Sequence, residues 1–136
     1  MGFTEHNPEA PKQFLSYAGM CIDAAKKSYG IELTYDLASI KKLDEMIEGM
    51  GKPKNLEPVV MVFGSFLGET IRQLYKGRWE WSEHYKTWGV TFPLPGGSQD
   101  SAFVFAKVQK RFYNGMEDSL SFLVEVTDQR VKGKIP

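Results

Sequence analysis

Apolar residues recur at Phe14, Ala18, Cys21, Ile22, Ala25 and Tyr29, the spacing of one buried helical stripe. Asn7-Pro8 before it and Gly30 after it read as a start and a stop. Ile31 to Tyr35 (IELTY) alternates and reads as extended. Leu37, Ile40, Leu43, Ile47 and Met50 form a second stripe, with Asp36 placed to cap it and Gly49 and Gly51 to close it. The breaker-rich GKPKNLE (51–57) is a loop. A third helix runs from Pro58, tolerated in a first turn, to Lys76, with Gly77 past its end. Its first half, VVMVFGSFL, is apolar on nearly all sides, which predicts a central, buried helix.

The period then drops to two. Trp79 and Trp81 alternate with polar neighbours, as do Trp88, Val90 and Phe92, so a hairpin is predicted with its turn near 84–87. Pro93 to Gly97 ends it, and Ala102 to Phe105 is a candidate third strand. A helix is predicted over 107–113, ended by Asn114-Gly115. A last helix over 117–130 uses Leu120, Leu123, Val124, Thr127 and Val131. The alternation of Phe122, Val124 and Val126 leaves a strand open there as the competing reading. The whole pattern predicts an α+β fold with three N-terminal helices, a small antiparallel sheet and two C-terminal helices. A chain of 136 residues suits a single domain with one core. Its ends, 1–8 and 132–136, are expected to be loose.

Charge and cysteine usage narrow the partners. Lys plus Arg is 17 and Asp plus Glu is 17, and this balance argues against nucleic acid or an acidic membrane as the partner. Cys21 is the single cysteine, so no internal disulfide forms, which points to a reducing, cytoplasmic setting. The longest apolar run, Val59 to Gly68, falls far short of the roughly 20 residues of a membrane span. The opening MGFTEHNPEAP is polar and acidic, unlike a secretory leader, and His6 stands where a myristoylation motif wants Ser or Thr.

Four stretches occur in a set order: DLASIKKLDEMIEG (36–49), FGSFLGETI (63–71), GRWEW (77–81) and VFAKVQKRFYNGMEDSLSFL (104–123). In that order they resemble a group of uncharacterised bacterial domains of unknown function, over about residues 31–125. The resemblance implies a small bacterial α+β domain. It carries over no catalytic residue.

Candidate chemistry centres on the third helix and the hairpin. Gly64 and Gly68, four apart, share a helix face. Each costs about 1 kcal/mol against Ala there, so the pair implies tight packing or room for a ligand. Glu69 lies where the apolar half of the helix gives way to the polar half. A buried carboxylate there needs a cation or several donors. Arg72 at i+3 and Arg78 are candidates, but Arg111 is favoured, so an ion pair of Glu69 with Arg111 is expected. Trp79 and Trp81 share one strand face, which is either core or a recognition surface. Glu80 and Glu83 interleave with these aromatics, against a nucleic-acid stacking platform.

Glu83 and His84 are adjacent and point apart on a strand, which is no metal spacing. PGGSQDS (95–101) lacks the lysine and the spacing of a phosphate loop, and NGMEDS (114–119) reads as a turn and a helix start. No catalytic residue, metal or cofactor is therefore assigned. The leading expectation is a non-enzymatic interaction module that binds another bacterial protein through an aromatic hairpin face or a groove between helices. The alternative is a small-molecule binder or enzyme with a pocket near Glu69, Trp79 and Arg111. Glu69, Trp79, Trp81 and Arg111 are the candidate binding residues.

Overall fold

Capping chemistry marks some of the helix ends. In the computed structural model, which describes residues 2–136, helix α1 spans Ala10–Ala24 with Pro11 in its first turn. It widens into a π-helical turn, Ala25–Tyr29, and stops at Gly30, whose φ of 65° is left-handed. The Asp36 carboxylate accepts the Ser39 N–H at 2.8 Å and starts α2, Leu37–Met50. Helix α3 is Leu56–Leu74. Strands β1 (Arg78–Ser82), β2 (Thr87–Pro93) and β3 (Gln99–Ala102) follow. Helix α4 is Val104–Asn114, a short 3-10 turn covers Gly115–Asp118, and α5 is Leu120–Val131. The fold is α+β, with five helices and a three-stranded antiparallel sheet in the order β1-β2-β3.

Register explains which strand residues are buried. Trp79 pairs with Val90, Trp81 with Trp88, and Val90 with Ala102, so these side chains share the face turned to the helices. Helix α3 is central, as its apolar first half predicts: α1 packs on it, α4 packs on it, and the sheet closes one side. Phe14, Cys21, Phe66, Leu67, Ile71, Val90 and Phe105 are all essentially inaccessible. The two glycines serve this packing. A Cβ on Gly64 would collide with the Phe105 ring, and one on Gly68 with the Trp79 ring. Among the described residues, no helix is long and apolar enough to cross a membrane.

Several local expectations are corrected. The third strand is Gln99–Ala102, earlier than the expected 102–105. Val104, Phe105 and Val108 are needed for the buried stripe of α4, so that helix takes Val104 onward. The last helix starts at Leu120, where the Ser119 hydroxyl accepts the Phe122 N–H at 3.2 Å. Phe122 is exposed and Val124 buried within that helix, so the strand alternative is not realised.

Among the described residues both terminal segments contact the fold; Met1, part of the expected loose start, lies outside them. Phe3 is buried and stacks on Phe105 with ring centroids 4.6 Å apart. Its carbonyl accepts the Trp88 N–H at 3.0 Å, and the Glu5 carbonyl accepts Trp88 Nε1–H at 2.7 Å. At the other end Lys134 N–H donates to the Gln129 carbonyl at 2.9 Å, which folds the tail back on α5. The Phe3 and His6 rings and hydrogen bonds to the Phe3 and Glu5 carbonyls hold the first segment as a strap across the hairpin.

Candidate functional site

Glu69 sits on α3 one residue beyond Gly68, and the missing Cβ there lets the Trp79 ring lie against the helix. That contact brings the Trp79 indole N–H to Glu69 Oε2 at 3.1 Å. The other carboxylate oxygen accepts Arg72 Nε–H at 2.9 Å and Gln73 Nε2–H at 3.2 Å, and also pairs with Arg72 Nη2. Burial pushes the Glu69 carboxyl up, but the bonds from Arg72, Gln73 and Trp79 outweigh it and hold the pKa below the ordinary range. Glu69 forms the floor of an open cleft of about 340 Å³, lined also by Pro11, Lys12, Leu15, Arg72, Arg78 and Trp79.

Arg111 is not part of this cleft, and the expected Glu69–Arg111 pair is not formed. Arg111 is buried on α4 and donates from Nε to Asp44 Oδ1 at 2.9 Å and from Nη2 to Glu48 Oε1 at 3.0 Å. Asp44 also accepts the N–H groups of Leu120 and Ser121, at 3.1 and 2.8 Å, and the hydroxyls of Ser119 and Ser121. It caps α5 from another helix and ties α2, α4 and α5 into one knot. Burial pushes the Asp44 carboxyl up, yet the Ser121 and Leu120 N–H groups, Arg111 and the Ser121 hydroxyl together bring it below its usual range.

Sequence reasoning missed Asp44, although a signal was present. It falls four residues after Ile40 and three before Ile47, on the apolar stripe of α2, and a carboxylate there must find buried donors.

The aromatic face of the hairpin is partly covered. Trp88 is buried, Trp79 packs on Phe14 with centroids 4.6 Å apart, and His6 of the strap stacks on Trp81 at 5.1 Å. Of the four candidate residues, then, Glu69 and Trp79 come together, Trp81 lies under the strap, and Arg111 belongs to the Asp44 knot. Residues before α1 fold onto part of this face, and Trp79 and Trp81 stay partly exposed.

A groove does open between helices. Tyr17 and Met20 of α1, Pro58, Met61 and Val62 of α3, and the rim residues Asn55 and Glu57 enclose about 470 Å³. Met20 stands half exposed at its lip. Among the described residues, no group of three or more His, Cys, Asp or Glu is placed to hold a metal ion.

Comparison with family models, with curated proteins and with solved structures finds no match for the chain. The architecture defines the class: an α+β domain in which five helices pack with a three-stranded antiparallel sheet around α3.

Proposed function

We propose that the protein is a non-enzymatic interaction module of the bacterial cytoplasm, and that it receives an apolar helical segment of a partner protein in the groove between α1 and α3. The observation that carries this reading is the lining of that groove: Tyr17, Met20, Pro58, Met61 and Val62 form an open, mostly apolar concavity with Asn55 and Glu57 at its rim. An amphipathic helix lays its apolar face into such a groove, and methionine side chains adapt to varied partners. The buried carboxylates support the same reading, since Asp44 and Glu69 are each engaged by internal donors. The resemblance to bacterial domains and the single buried thiol of Cys21 support the setting.

Affinity capture from the native host tests the proposal, with wild type and Met20→Glu compared side by side. Met20 is exposed, so the variant should keep the wild-type Tm. The expected result is a stoichiometric partner captured by the wild type and lost with Met20→Glu. Equal capture by both proteins, or no stoichiometric partner at all, overturns the reading.

A further inference from the structure

Strand β1 ends the sheet, and its register tells which backbone groups face outward. Trp88 donates its N–H to the Phe3 carbonyl, away from β1, so Trp88 and Trp81 form a pair without mutual hydrogen bonds. The alternation of an antiparallel ladder then aims the N–H and C=O groups of Trp79 and Trp81 at the free side of β1. Among the described residues, none of these four groups has a backbone or side-chain partner. An edge of this kind is a template for another strand.

The cleft floored by Glu69 adjoins that edge. Its cations are Lys12 and Arg72, against one carboxylate, Glu69, which Arg72 already neutralises; the Arg78 guanidinium lies on the other face of the sheet, where it meets Glu80 and Gln99. Among the described residues Lys12 pairs with the exposed Glu9 at 3.4 Å, an interaction worth little in water. Leu15, half exposed, supplies an apolar wall.

We propose that the outer edge of β1, together with the cleft of Lys12 and Arg72, binds an extended acidic segment of a partner protein as a fourth strand. Backbone bonds to Trp79 and Trp81 supply the pairing. Side chains two apart on such a segment fall on one face, so alternate carboxylates meet the cations of the cleft. A second copy of this chain fits the edge less well, because a two-fold axis through β1 would bring the four cations of two such clefts together. This surface extends the interaction-module reading and does not depend on the groove between α1 and α3.

The test uses a capped heptapeptide of alternating Thr and Glu, with an alternating Thr–Lys peptide as control, followed by amide hydrogen exchange and titration. The acidic peptide should slow exchange at the Trp79 and Trp81 amides at least tenfold. Lys12→Glu should weaken it about tenfold, whereas Met20→Glu should leave it unchanged. Equal binding of the Thr–Lys peptide overturns the proposal. So does protection that grows with protein concentration alone, which assigns the edge to a second copy. Shifts at Lys12 and Arg72 reproduced by free glutamate, with no slowing at Trp79 and Trp81, reveal an anion site only and also overturn it.

Discussion

Asp44 and Glu69 are both buried carboxylates on helices, and both are held ionised by donors, yet they do different work. The donors of Asp44 come from residues 67 to 77 positions away, so one side chain fixes three helices. The donors of Glu69 lie three, four and ten positions away, so it fixes only the turn from α3 into β1. Their arginines differ as well: the side chain of Arg111 is 2% exposed and that of Arg72 is 38% exposed. A sealed carboxylate spends all its charge on the fold. One at the floor of an open cleft leaves its cation within reach of something else. Burial of the acid alone does not tell the two apart; the exposure of its partner does.

The largest effect should come from breaking the sealed site. Asp44→Ala leaves the buried Arg111 only the exposed Glu48 as a carboxylate partner and orphans two N–H groups of α5, and removing one partner of a buried pair typically costs about 3–5 kcal/mol. Urea unfolding should show that loss, and Asp44→Ala with Arg111→Met should recover part of it. A double variant no more stable than the single one would mean the pair is not the source of the cost.

Acid titration sharpens the contrast next. Both carboxyls are held below the ordinary range, near 4 for unfolded chains, so their stabilisation is present above that range. It is lost as pH falls through the depressed folded values. The urea-midpoint gap between wild type and Asp44→Asn should therefore be widest near neutrality and close in acid. A gap that stays constant with pH would show that the Asp44 carboxyl has the same pKa folded and unfolded, so that its ionisation adds nothing to stability.

Two smaller effects probe the open site. Gly68→Ala pushes a methyl into the Trp79 ring, and overpacking of this kind costs about 1–3 kcal/mol, partly offset by helix propensity. Near-UV circular dichroism should change with it. Arg72→Met leaves Glu69 with Gln73 and the Trp79 indole, and because Arg72 is partly solvated the loss should be only about 1 kcal/mol by thermal unfolding. A loss as large as that of Asp44→Ala would erase the distinction drawn between the two sites.

Much of the fold was legible along the chain because its signals are periodic. The stripes of α1 and α2, the all-round apolar start of α3 and the alternation of Trp79, Trp81, Trp88, Val90 and Phe92 each announce their element. The strap was not legible, since Phe3 is the only Phe, Tyr or Trp before α1 and one residue has no period. The partner of Glu69 was misjudged because motif order says nothing of which side chains meet. Arg72 at i+3 needs no loop to be ordered and takes the carboxylate first. The burial of Glu69 and the role of Gly68 were readable in the local pattern. The covering of Trp81 was not, because the cover comes from 75 residues upstream.

Cys21 lies inside the α1 stripe, wholly inaccessible, and burial pushes its thiol up to about 12. A thiolate-directed reagent can therefore reach it only when α1 lifts from the core. As the sole cysteine of the chain, it gives a signal with a single source. The rate of its modification is a clock for that opening, readable without any engineered label. Slowing of that clock when a partner seats against α1 would time the closing of the molecule around what it holds.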